Sequence, residues 1–170
     1  MTKPNQGFSL LELLVVIAIM AILLGVGIPG MRELMGNAAR REAATGLYSS
    51  LNRARYEAVA RNTTVSVCPR DLSASSPRCS GSADWLNGWI VYTALANGGI
   101  SAIEVQKPVS INLRFKDAPS GQISFDASGR VTALIDFRLC ASASARDQRS
   151  RLIRVRRSGG VTLSEDSTCV

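Results

Sequence analysis

Gly7-Phe8-Ser9-Leu10-Leu11-Glu12-Leu13-Leu14 opens an apolar run that continues to Pro29 and carries one charge, Glu12. The run matches the roughly 20 helical residues needed to cross a bilayer core of about 30 Å. It is longer than the apolar part of a secretory signal, and no A-x-A-like cleavage site follows it. A plain anchor would place a leucine at position 12. A carboxylate inside such a helix costs about 2.5 to 3.5 kcal/mol on insertion scales. Glu12 is therefore read as a functional charge that needs a cationic partner.

The residues before the run, Met1 to Gly7, form a short polar leader with Lys3. Leader and run together resemble the class III signal of type IV prepilins and type II secretion pseudopilins. The resemblance implies cutting between Gly7 and Phe8 by a prepilin peptidase, and N-methylation of Phe8. Glu12 becomes the fifth mature residue. The new amine at Phe8 is a cation that Glu12 of a neighbouring subunit can meet. Such a pair offsets part of its own desolvation and fixes subunit register, because an unpaired charge in low dielectric is heavily penalised.

Beyond Gly25, Gly27, Pro29 and Gly30, which weaken the helix, helical patterning resumes. Leu47, Leu51, Ala54 and Ala58 fall on one stripe, with Leu34 and Ala38 on a preceding turn. Arg40, Arg41, Glu42, Arg53, Arg55 and Glu57 lie mostly off it. This predicts an amphipathic helix to about Arg61. Unbroken from Phe8, it would be about 80 Å long at ~1.5 Å per residue.

After Arg61 the period becomes two. Strands are predicted at Thr63–Cys68, Gly88–Thr93, Ile103–Val105, Ile111–Phe115, Gln122–Phe125, Ala133–Cys140, Leu152–Arg156 and Val161–Leu163. Asn97-Gly98-Gly99 and Asp126-Ala127-Ser128-Gly129 punctuate them, so an antiparallel sheet of hairpins is expected. One long helix followed by strands makes the fold class α+β. The expected organisation is a leader over 1–7, a membrane and assembly helix over 8–29, an amphipathic helix over 30–61 and a β-rich head over 62–170.

Cys68, Cys79, Cys140 and Cys169 include no C-x-x-C pair, which disfavours a metal knuckle. An even number in an exported domain favours two disulfides. Three connectivities exist; the expected one is local, Cys68 with Cys79 and Cys140 with Cys169. It places the head in an oxidising compartment. Lys3 keeps the N-terminus cytoplasmic, so the head is expected in the periplasm. The chain has no histidine, which removes Ser-His and Cys-His nucleophiles and His-containing zinc sites. No phosphate-binding glycine loop and no placed carboxylate pair is present. The expectation is a protein that is not an enzyme and uses no cofactor or metal.

A Cys-bearing first strand, Trp85 before Gly88-Trp89-Ile90-Val91, Ile123-Ser124-Phe125 with Gly129-Arg130, and Leu139-Cys140 resemble the FimT/FimU and GspH group of minor pilins and pseudopilins. The resemblance covers the whole chain. It implies a low-copy subunit at or near the tip of a type IV pilus that helps to initiate assembly. Its implied partners are other minor pilins, the major pilin, the prepilin peptidase and the inner-membrane assembly platform. The implied route runs from the inner membrane to the extracellular filament tip. An H-type pseudopilin of a type II secretion system has the same fold.

The net charge is +7, which suits an anionic partner. Arg138, Arg146, Arg149, Arg151, Arg154, Arg156 and Arg157 crowd one region with Asp147 against them. Arg149, Arg151, Arg154, Arg156 and Arg157 are the candidate contacts to DNA or another anion, with Arg154 and Arg156 on one strand face. DNA uptake is therefore an alternative function. DNA-binding members of the resembled group carry Gly-Arg-x-Arg near the C-terminus. The matching place here reads Gly159-Gly160-Val161-Thr162, without either arginine. Few aromatics accompany these arginines, so binding would be to the phosphate backbone.

Overall fold

The computed structural model describes residues 9–109, 113–141, 150–166 and 169, except for the side chains of 25–34 and 166. It divides into two compact units, Met1–Met35 and Gly36–Val170. Helix α1 is Leu10–Arg61. In the first unit, the described apolar side chains from Leu10 to Leu24 are exposed. Among the described residues, no helix is long and apolar enough to cross a membrane.

In the second unit the period-3.6 stripe is what closes the core. Leu47, Leu51, Ala54 and Ala58 are fully buried, and Ala43 and Ala44 join them. Small residues at four of these positions let the helix approach the strands closely. Two positions differ from the sequence expectation. Ala38 is exposed rather than part of the stripe. Arg40 is buried and hydrogen-bonds Asn37. Ala38 is nine residues before Leu47, about 180° round the helix at ~100° per residue, so it lies on the face opposite the buried stripe, whereas Arg40 falls on the stripe itself.

Eight strands are described: β1 Val65–Pro69, β2 Trp89–Ala94, β3 Ile100–Val105, β4 Leu113–Lys116, β5 Ile123–Phe125, β6 Ile135–Ala141, β7 Ser150–Val155 and β8 Val161–Asp166. They form two antiparallel four-stranded sheets, ordered β3-β2-β1-β5 and β4-β6-β7-β8. The strands are therefore not one run of hairpins. β4 pairs with β6, and β5 crosses to pair with β1. Asp126-Ala127-Ser128-Gly129 consequently joins strands of different sheets instead of closing a hairpin. Asn97-Gly98-Gly99 does close the β2–β3 hairpin, with the Leu95 N–H donating to the Gly99 carbonyl at 2.9 Å.

The inner faces of both sheets and the helix share one core. Trp85, in a single 3-10 turn at Trp85–Asn87, meets Phe137 edge-on with ring centres 4.9 Å apart. Its indole N–H donates to the Pro119 carbonyl at 2.9 Å, which satisfies the one polar atom of a fully buried ring. Every residue of β1 is buried. Period-two alternation would expose its outer side chains, but Cys68 bonds to Cys79 there and ties down the segment after β1. Cys68, Ile90 and Tyr92 form a second small core on that face. The other disulfide joins Cys140 of β6 to Cys169. The Arg114 guanidinium donates to the Cys169 carbonyl at 3.0 Å, so β4 also holds the C-terminal segment.

Candidate functional site

The first candidate is the N-terminal element. Gly7 and Phe8 lie outside the described residues. Glu12 stands exposed in the first turn of α1, where a carboxylate complements the helix dipole. It has no cationic partner among the described residues. Leucine, valine and isoleucine surround it, all exposed. A helix apolar on every side requires lipid or other helices around it.

The second candidate is the arginine-rich region, which the sheet register breaks up. Arg149, Arg146 and Asp147 lie outside the described residues. Arg151 stands opposite Glu165 of β8, and the two form an ion pair. Arg154 stands opposite Asp136 of β6. Its Nε and Nη2 reach the two carboxylate oxygens at 2.8 Å each, a bidentate pair. These bonds and the Arg154 charge, with Arg138 nearby, hold the Asp136 carboxyl below the usual carboxylate range. Arg138 donates to Asp117 at 2.9 Å. The linear crowding of arginines had set Asp147 alone against them. Antiparallel pairing supplies Glu165, Asp136 and Asp117 from strands distant in sequence.

Arg154 and Arg156 do not share a strand face. β7 ends at Val155, and Arg156 begins the turn to β8. There the Gly159 N–H donates to the Arg156 carbonyl at 2.7 Å and the Arg156 N–H to the Gly160 carbonyl at 2.9 Å. Arg156 and Arg157 are exposed at this turn. Neither has a carboxylate partner among the described residues.

That turn sits against two other segments. Gly159 and Gly129 both have positive φ, +78° and +72°. A β-carbon on Gly159 would stand 1.7 Å from the Gly129 carbonyl oxygen, so only glycine fits. The Val131 N–H donates to the Arg157 carbonyl at 3.1 Å. Arg55 of the helix lies alongside both turns. Its Nε would be 3.0 Å from a β-carbon on Gly159 and 3.3 Å from one on Gly129. Asp126 shapes the second turn. Its Oδ1 accepts from the Ser128 hydroxyl and the Ser128 and Arg130 N–H groups. Chiefly through the Ser128 hydroxyl and then the Arg130 N–H, its carboxyl is held below the ordinary range.

The structure thus brings Arg156 and Arg157 to Arg55 and Arg130, and keeps Arg151 and Arg154 in cross-strand pairs. Arg55 and Arg130 were missed as members of this group. The available signal was the pair of glycines, one in an Asp-x-Ser-Gly turn and one in Ser-Gly-Gly. Among the described residues no cluster of His, Cys, Asp or Glu could hold a metal ion.

With this geometry, the likenesses to other proteins fall into place. Residues 43–159 match the family described as type II transport protein GspH, and residues 2–28 match the prokaryotic N-terminal methylation motif. Sequence comparison with curated proteins gives no match. Crystal structures of the type IV minor pilin FimU of Pseudomonas aeruginosa are similar in fold. One, in space group P21, has 22% identity and a TM-score of 0.58, covering 79% of this chain and 97% of that one. A second, in P65, has 22% identity and a TM-score of 0.56, covering 76% and 99%. The minor pseudopilin EpsH of the Vibrio cholerae type 2 secretion system has 14% identity and a TM-score of 0.55, covering 74% and 95%.

Proposed function

The chain belongs to the GspH family, and from that premise we propose that it is a minor type IV pilin, a low-copy subunit placed at or near the filament tip to help start assembly. The observation that carries the reading is the pairing of two features in one chain. One is an N-terminal methylation motif leading into an apolar helix with a single carboxylate. The other is a GspH-type head.

Each part has a physical task. The apolar stretch over 8–29 anchors the subunit in the inner membrane, with Lys3 on the cytoplasmic side and the head in the periplasm. Prepilin peptidase cuts after Gly7 and Phe8 is methylated. On extraction into a filament, the apolar helix exchanges lipid for neighbouring pilin helices. Glu12 then meets the terminal amine of a neighbour, so a subunit one step out of register leaves two charges unpaired in an apolar bundle. Two disulfides in the head suit the periplasm and the cell exterior. The cross-strand pairing of Arg151 and Arg154 supports an assembly role over a DNA-capturing one, because it neutralises two of the five candidate contacts.

Deletion and complementation test the reading. Deleting the gene is expected to reduce filaments per cell, with restoration by the full chain. Unchanged filament number, together with loss of type II secretion, would reassign the protein to the secretion machine.

A further inference from the structure

The two disulfides join the four cysteines in chain order, first to second and third to fourth. Their surroundings differ. The segments on either side of the first loop already form a short antiparallel ladder. The Ser80 N–H donates to the Pro69 carbonyl at 2.9 Å and the Asp71 N–H to the Arg78 carbonyl at 2.8 Å, with Arg70 opposite Cys79. Asp71 Oδ1 accepts from the Ser73 N–H at 2.9 Å and from its hydroxyl at 2.7 Å, which turns the chain back. Cys68 therefore meets Cys79 through contacts made between near neighbours in the chain.

Cys169 has no such local template. β8 pairs with β7, which pairs with β6. Arg114 of β4 stands opposite Cys140, and its guanidinium donates to the Cys169 carbonyl. Four strands must be in place before Cys169 is held beside Cys140. Once there, Cys140 is fully buried and Cys169 is 7% exposed, so both sulfurs are out of an enzyme's reach.

From this contrast we infer that the head is the substrate of a protein dithiol oxidase in two ordered steps, Cys68–Cys79 first and Cys140–Cys169 second, and that it needs no disulfide isomerase. The inference rests on the periplasmic placement of the head proposed above.

Each step is a pair of thiol–disulfide exchanges. The Cys68 thiolate attacks the disulfide of the oxidase, forming a mixed disulfide and freeing one enzyme thiolate. The Cys79 thiolate then attacks the Cys68 sulfur and expels the other. The chain loses two electrons and two protons, and the oxidase leaves as a dithiol. A second oxidised enzyme captures Cys169 before the C-terminal segment docks, and Cys140 displaces it in the same way.

The thiol that resolves the first mixed disulfide decides the connectivity. Encounter within a flexible chain falls roughly as the −3/2 power of separation. Cys79, 11 residues from Cys68, therefore outcompetes Cys140, 72 residues away, by about 17-fold. With the N-terminus held in the cytoplasm, Cys68 and Cys79 also reach the oxidase first. Once they are joined, Cys140 and Cys169 have only each other, and no wrong pairing is left to correct.

The test follows oxidation of the full-length chain in the producing cells. A pulse of labelled amino acid is chased, thiols are trapped with acid and a maleimide, and unreduced peptides are mapped. The expected intermediate has Cys68 joined to Cys79, with maleimide on Cys140 and Cys169. Removing the oxidase should leave four free thiols at the same chase time, and added cystine should restore both bonds. Removing the isomerase should leave the parent chain unchanged. Cys79→Ser supplies the contrast: Cys68 then lacks its near partner, so Cys68–Cys140 and Cys68–Cys169 should appear, and removing the isomerase should increase their share. An intermediate with Cys140–Cys169 closed alone, a crossed peptide in the parent, a parent that needs the isomerase or ignores loss of the oxidase, or a Cys79→Ser chain without crossed pairs overturns the inference. Four free thiols in a strain that has its oxidase would overturn it together with the periplasmic placement.

Discussion

Gly159→Ala should be the most damaging single-methyl insertion where the two glycine turns meet, and two other glycines separate the reasons. At Gly160 the backbone is ordinary and the nearest group is the Ser158 hydroxyl at 3.7 Å. Alanine there should change stability by less than about 0.5 kcal/mol. Gly98 has φ of +79° with open space around it. Alanine there meets only the left-handed backbone cost, about 1 to 2 kcal/mol. Gly159 has the same φ, and its new methyl would stand 1.7 Å from the Gly129 carbonyl oxygen. That oxygen belongs to backbone, so it cannot rotate away. Either the turn moves off the helix or both turns distort, which adds about 1 to 3 kcal/mol in the manner of an overpacked core. The sum is about 2 to 5 kcal/mol, or a fall of roughly 10 °C in melting temperature for a domain of this size. Thermal unfolding of the full chain in detergent, followed in the far ultraviolet, gives the order Gly160→Ala, Gly98→Ala, Gly159→Ala. If Gly159→Ala melts within a degree or two of Gly98→Ala, the close contact between the turns does not exist as described.

The Asp136–Arg154 pair should make the head acid-sensitive. Its lowered carboxyl means the stabilisation is complete above about pH 5 and lost as pH falls through the folded value, below ~3.9. Arg154 is 43% exposed, so screening limits Asp136→Asn to about 1 kcal/mol or less at pH 7; urea midpoints of variant and parent should draw together as the pH falls below the ordinary carboxylate range. The two disulfides close loops of 11 and 29 residues, worth about 2.8 and 3.6 kcal/mol in the chain-entropy model. Double serine replacement at Cys140 and Cys169 should therefore cost more in urea unfolding than replacement at Cys68 and Cys79. Glu12→Ala should leave the amount in membranes unchanged and reduce that in sheared filaments by about tenfold, equivalent to ~1.4 kcal/mol of lost pairing; equal amounts in filaments would refute a pairing role for the carboxylate.

Periodicity carried much of the fold. The stripe Leu47, Leu51, Ala54, Ala58 is local, 3.6-periodic and fully buried, and alternation located the strands to within a few residues. The partition into two sheets was not legible. It depends on β4 choosing β6 and β5 choosing β1, and pairing between distant strands leaves no mark at either strand alone. The same gap misled the reading of the arginines. Charge density along the chain is visible, but whether Arg154 faces a carboxylate depends on which residue of β6 lies opposite. Arg55 looked like an ordinary solvent-facing helix residue; only the contact between two distant glycine turns gives it neighbours. Ala38 failed for a different reason: nine residues before Leu47 is about half a circle round the helix, so it lies on the face opposite the buried stripe.

The central claim is that this chain enters filaments as a processed pilin. Intact-mass spectrometry of the sheared filament fraction reads this directly. The account predicts a minor component whose mass begins at Phe8, carries one methyl group and has both disulfides closed. A chain abundant in membranes but absent from that fraction, or present there with Met1 as its first residue, would contradict it.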